Sequence, residues 1–261
     1  MGEKVAHHSS YYDLCDALSE PGCPICRLNA ATAERYLDGL LWEMVNDPGV
    51  REKIRQAQGF CNTHAWGLAR IHGAALGVAI IHRDVLGALL EELASVSGNH
   101  AGGQPALADT LLRKRVTAGS AAARRLRPRH DCPACVHVQA AESRYLEAFV
   151  ELVTRDDEMR ARYLASDGLC QPHFRQALRQ AADEKAVSAL VSAQREIWER
   201  LAAHLSEFVR KSDYRFCDEP MGEERDAWLR SIGALSGADA CRRQVEPARR
   251  RPAAPAEGDA A

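Results

Sequence analysis

The chain is written twice. "CPICRL" begins at Cys23 and "CPACVH" at Cys132, while "GFCNTH" begins at Gly59 and "GLCQPH" at Gly168, and both pairs lie 109 residues apart. Between them "RYLDGL" (35–40) answers "RYLEAF" (144–149), and Asp47 and Arg51 answer Asp156 and Arg160 at the same offset without a gap. A register held across separate stretches reads as a duplication and narrows the architecture to two similar units. These are expected at 10–97 and 129–210, with a linker at 98–128 in which "ALADTLLRKRV" reads as a short helix. An extension at 211–237 has no counterpart. The Pro-, Ala- and Arg-rich tail at 238–261 is expected to be disordered.

Inside each unit the apolar spacing is helical. Leu37, Leu40, Leu41, Met44 and Val45 recur at 3, 4, 7 and 8, as do Leu146, Phe149, Val150 and Val153 in the copy. Val78, Ile81, Val85, Leu89 and Leu93 form a second stripe, and Ile197, Leu201, Leu205 and Phe208 another. No alternating run bounded by turn residues argues for a strand. The fold class is therefore all-α: tandem duplicated units of about three helices each, with a C-terminal helical extension.

The duplicated residues include a metal-ligand set. Each unit carries C-P-x-C, then 34 residues, then C-x-x-H: Cys23, Cys26, Cys61 and His64 in the first, Cys132, Cys135, Cys170 and His173 in the second. Three thiolates and one imidazole are a known tetrahedral zinc set. Pro24 and Pro133 suit a first helical position, which puts the cysteines at the positive end of a helix dipole, where thiolate is favoured. A helix from about Arg27 to Val45, followed by a return through "PGVREKIRQAQ" and a turn at Gly59, would bring Cys61 and His64 back to Cys23 and Cys26. Two zinc ions, one within each unit, are the expectation. An iron–sulfur cluster with one histidine ligand is the alternative, since thiolates hold clusters too.

A reversible C-P-x-C disulfide, with Cys23 and Cys132 as nucleophiles, is the other redox reading. It normally follows a β-strand, whereas Cys23 follows "YYDLCDALSEPG", a helix and a turn. Haem attachment fails, because Val136 separates Cys135 from His137. Cys15, Cys217 and Cys241 lack both repeat partners and ligand spacing. The recurring Arg35-Tyr36 and Arg144-Tyr145 read as packing tyrosines with paired arginines rather than as a binding groove. No nucleotide-binding, hydrolase or metalloprotease motif occurs, so the chain does not read as an enzyme.

Charge and hydropathy bound the surroundings. Thirty-four Lys and Arg against 36 Asp and Glu leave no basic field for nucleic acid, and the short basic runs lack interleaved aromatics. The longest apolar run, "AALGVAII", falls short of the roughly 20 residues of a membrane span. "MGEKVAHHSS" lacks the charged-then-apolar pattern of a secretory leader. Nine cysteines in such a chain point to metal or redox chemistry in a reducing compartment rather than to a disulfide framework. A cytoplasmic protein with a protein partner is the expectation.

The paired CPxC and G-[FL]-C-x-x-H halves, followed by "DYRFCDEPMGEERDAWLRSIGALSG", resemble a prokaryotic domain-of-unknown-function family, number 6062. The resemblance covers about residues 10–237. It implies metal binding through the same eight residues and supplies no activity.

Overall fold

Proline and aspartate start most of the helices. In the computed structural model, which describes residues 2–98, 118–216 and 218–238, every regular element is helical. Helix α1 (Gly2–Leu18) leads into α2 (Pro24–Gly39), which continues as a π-helical turn, Leu40–Met44. Then follow α3 (Pro48–Gln56), α4 (Asn62–Leu68), α5 (Ala75–Gly98) and α6 (Ala118–Arg125). The second half runs α7 (Pro133–Arg155), α8 (Asp157–Ala165), α9 (Gln171–Gln180) and α10 (Glu184–Lys211), and α11 (Ala227–Ser236) ends the extension.

Asp47 and Asp156, equivalent in the repeat, cap α3 and α8 by accepting from the Val50 and Met159 amides at 2.7 and 3.0 Å. Each such cap is worth about 1 kcal/mol. The repeated aspartate is thus explained by helix initiation. Each half holds four α-helices rather than about three: α2 to α5, and α7 to α10. The sequence stripe at 37–45 hides two elements, because the helix widens into its π turn just after Gly39, where α7 has Ala148 and runs unbroken.

Helices α2 and α7 lie side by side and antiparallel. Asn29, early in α2, donates to Glu142 in mid-α7, whereas Tyr36, late in α2, stacks on His137 near the start of α7 at 4.7 Å. The main core draws Leu14, Leu18, Ile25 and Leu28 from the first half and Leu146, Phe149, Tyr163 and Leu190 from the second. The halves share this core. A smaller cluster of Leu40, Val45, Ile54, Ile81 and Val85 belongs to the first half alone. Leu93, expected in the α5 stripe, is 45% exposed, and only Ile197 of the expected α10 stripe is fully buried.

The extension folds back on α10. Lys211 donates to the buried Glu224 at 2.7 Å, and the Gly222 amide donates to the same carboxylate at 2.8 Å. No helix among the described residues is long and apolar enough to cross a membrane. The short helix expected at 106–116, Cys217, Cys241 and the tail from 239 onward lie outside the described residues.

Two outcomes follow. Phe149→Ala removes a fully buried ring that packs edge-on against Tyr163 at 4.9 Å. It should cost about 3–5 kcal/mol of stability in chemical denaturation. Lys211 and the Gly222 amide hold the Glu224 carboxyl down at about 2. A depressed carboxylate adds stability above its unfolded value, near 4.3, that is lost as pH falls through the folded value. The melting temperature of Glu224→Gln should therefore lie below that of the parent at pH 6, with the gap closing as pH drops towards 2.

Candidate metal centres

All four ligand motifs begin at helix caps. Cys23, Cys132, Cys61 and Cys170 are the N-cap residues of α2, α7, α4 and α9, so the second member of each motif lies on the first turn. Pro24, Pro133 and Pro172 occupy the first or second helical positions, where a missing amide proton costs nothing. Glycine makes both approaches to the C-x-x-H helices. Gly59 and Gly168 sit at φ +99° and +74°, and a Cβ on Gly168 would come within 2.9 Å of the Gln194 side-chain nitrogen.

The helices bring the ligands together in two clusters, each with its four donor atoms within 4.8 Å of one another. The first contains Cys23, Cys26, Cys170 and His173. His173 Nδ1 lies 3.4, 3.3 and 3.1 Å from the sulfurs of Cys23, Cys26 and Cys170, and the Cys26 and Cys170 sulfurs are 3.7 Å apart. The second contains Cys61, His64, Cys132 and Cys135. There His64 Nδ1 lies 3.2, 3.6 and 3.3 Å from the sulfurs of Cys61, Cys132 and Cys135, and Cys61 and Cys135 are 3.6 Å apart. All these cysteines are free thiols.

These groupings correct the expectation of one site within each unit. Each cluster takes C-P-x-C from one half and C-x-x-H from the other. The reason is the direction α3 takes. From Pro24 to Met44 the helix advances about 30 Å at 1.5 Å per residue, while α3, nine residues long, can return only about 14 Å and packs against α5 instead. Cys61 and His64 therefore stay at the far end of α2. That is where antiparallel α7 begins, with Cys132 and Cys135 in its first turn.

The crowded donors shift one another's protonation. In the first cluster, contacts from the Cys170 and Cys23 thiols hold Cys26 far below the usual thiol range. Burial pushes Cys23 well up. The Cys23 thiol favours ionisation of Cys170, but the Cys26 contact and burial outweigh it and raise Cys170 to about 11. Burial opposes protonation of His173, yet its sulfur contacts and Glu142 raise it to about 12. In the second cluster burial opposes the Cys132 thiolate, but His64 and three backbone amides bring it to about 6. Burial and the Cys61 thiol push Cys135 to about 12. A divalent cation would relieve this crowding, since three thiolates and a neutral imidazole around it leave a net charge of only −1.

Groups outside the repeat also reach the first cluster. The far nitrogen of His173 faces the Glu142 carboxylate at 3.6 Å, and Glu142 is itself held by Asn29. A carboxylate behind a ligating histidine is a common support in metal sites. The Ala238 amide, just past α11, donates to Cys26 at 3.4 Å. Sequence reasoning missed these because Glu142 has Ala33 at its repeat-equivalent position and lies on the helix whose own cysteines serve the other cluster. Of the residues set aside, His137 packs on Tyr36, Tyr145 donates to Asp13 at 2.8 Å, and Cys15 lies against the main core.

The chain is 27% identical over 225 residues to an uncharacterized 23.9 kDa protein encoded in the xynA 3′ region of Caldicellulosiruptor sp. (strain Rt8B.4), a match covering 86% of this chain and 99% of that one. No solved structure matches. The model of a family of unknown function, DUF6062, matches residues 12–241. With most of its length inside that match, including all eight clustered cysteines and histidines, the chain belongs to the DUF6062 family.

Proposed function

We propose that this is a non-catalytic helical accessory or interaction protein of the cytoplasm, held in shape by two structural zinc ions that each clamp one half of the chain to the other. One observation carries the metal reading. Two thiolates on a tetrahedral zinc ion, each about 2.3 Å away, stand about 3.8 Å apart, and thiolate and imidazole nitrogen about 3.5 Å. One sulfur–sulfur contact in each cluster is 3.7 or 3.6 Å, the sulfur–nitrogen contacts are 3.1 to 3.6 Å, and all four donors of each cluster lie within 4.8 Å of one another. Such spacing suits a single ion. A sulfide-bridged iron cluster stands between its ligands and needs them farther apart.

The closed four-ligand set favours a structural role over a catalytic one, because it leaves no position for water or substrate. The redox reading retains one support, the half-buried setting of Cys61, Cys132 and Cys135. It lacks the strand that normally presents C-P-x-C, since all elements among the described residues are helical. The would-be nucleophile Cys23 is buried and its thiol is pushed up. An absorption spectrum separates the readings, zinc being silent and a cluster coloured.

Elemental analysis of the protein purified under reducing, anaerobic conditions should give two zinc ions per chain, and chelation should lower the melting temperature. Paired substitutions test the crossed assignment. Cys23→Ser with His173→Ala touches one cluster and should leave one ion. Cys23→Ser with His64→Ala touches both and should leave none. If the second pair retained a full ion, ligation within each half would be restored and the crossed sites refuted.

A further inference from the structure

The two clusters share one ligand set but not one setting. In the first, Cys170 is 1% exposed and Cys23 and His173 are 9% exposed, whereas all four ligands of the second are only half-buried. Three covers account for the difference. Leu14 and Leu18 of α1 pack in the same core as Cys23. The equivalent approach to Cys132, residues 127–131, is exposed throughout. Asn29 and Glu142 stand behind His173, with the Glu142 carboxylate 3.6 Å from its outer nitrogen, whereas no acidic group among the described residues pairs with His64. At the end of the extension Ala238 donates to Cys26, and a Cβ on Gly237 would sit 3.4 Å from the Cys26 sulfur and 3.7 Å from that of Cys170. Backbone clasps do not distinguish the clusters. The Gly22 amide binds Asp167 beside one, and the Arg129 amide binds the Gln56 carbonyl beside the other, both at 2.8 Å.

From this asymmetry, and resting on the zinc reading above, we propose that the centres differ in function. The Cys23–Cys26–Cys170–His173 site is the permanent one. The Cys61–His64–Cys132–Cys135 site is exchangeable, loading and releasing a d10 divalent ion to small thiol or amino-carboxylate chelators. Ligand exchange begins when an incoming donor reaches the ion as one protein ligand lets go, so it needs solvent at the ion and a ligand free to swing. A half-buried site whose histidine has no acidic partner among the described residues meets both needs. In the buried site, Glu142 stands 3.6 Å behind the His173 ring, and the Ala238 amide and Gly237 close the approach to Cys26. Loss of such outer support typically changes metal affinity about 10- to 100-fold.

The consequence is a joint that loosens at one end. Release from the second site unclamps α4 from the start of α7, next to the exposed 127–131 segment, and leaves α9 fixed to the start of α2.

The test uses the full chain loaded with zinc under reducing conditions and challenged with an excess of a chromogenic chelator. Release should occur in two phases of one equivalent each, at least about tenfold apart in rate. Cys135→Ser should abolish the fast phase, Cys26→Ser the slow one, and Glu142→Gln should accelerate the slow phase alone. Alkylation of the unmutated protein after one equivalent of chelator, mapped by mass spectrometry, should label Cys61, Cys132 and Cys135 before Cys23, Cys26 and Cys170, which avoids dependence on variants that misfold. Two ions leaving in one phase, or Cys23, Cys26 and Cys170 labelled first, would overturn the ordering while leaving two-zinc binding intact. A chain that takes up no zinc overturns this inference together with the reading beneath it.

Discussion

The antiparallel contact between α2 and α7 governs the rest of the structure. Because the helices run in opposite directions, the start of each lies beside the end of the other, and each C-P-x-C turn faces a C-x-x-H helix from the opposite half. The two clusters consequently occupy opposite ends of the pair, about 20 Å apart by the helical rise between the start of α2 and the residues that meet α7's first turn. Between them the interface is apolar, with Ile25 and Leu28 packed in one core with Leu146 and Phe149. Burial draws the helices together; an ion in each cluster would fix how far one can slide along the other.

Much of this was legible in the sequence. Helical periodicity, proline at the first helical turn, glycine before each C-x-x-H and the ligand types all act over a few residues, and each reappears as a local structure with a physical cause. Asp47 and Asp156 show the same thing, recurring because each starts a helix. The pairing of ligands was not legible, because both groupings use identical residues at identical spacing. What decides between them is where α3 goes after the π turn, and α3 packs on α5 rather than running back along α2. Glu142 was hidden for a related reason. The histidine it faces lies in its own half, but Asn29 of the other half holds it there, and the repeat replaces it with Ala33.

The extension breaks the equivalence of the halves. A helix returning over α10 and ending at Cys26 has no counterpart beside Cys135 among the described residues. It is held by packing of α11 on α10 and α9 around the buried Ala227 and by the ion pair of Lys211 with the buried Glu224. Asymmetry between the two clusters thus comes from a segment without a counterpart at the 109-residue offset.

Crossed ligation also changes what a metal ion would do for the chain. Joining Cys26 to Cys61 would close a loop of 35 residues, whereas joining Cys26 to Cys170 closes one of 144. Loop-closure entropy grows by about 0.6 kcal/mol per doubling, so the longer loop removes roughly 1.2 kcal/mol more conformational freedom from the unfolded chain. More important is what is tied to what. A site inside one half would stabilise that half and leave the α2–α7 contact to apolar packing alone. A crossed site makes the contact itself the thing held. One 109-residue unit could satisfy the same ligand set only by pairing with a second copy about a twofold axis, the isologous arrangement usual in symmetric dimers. In a single chain that pairing is intramolecular, and with the helices placed as they are each cluster draws on both halves.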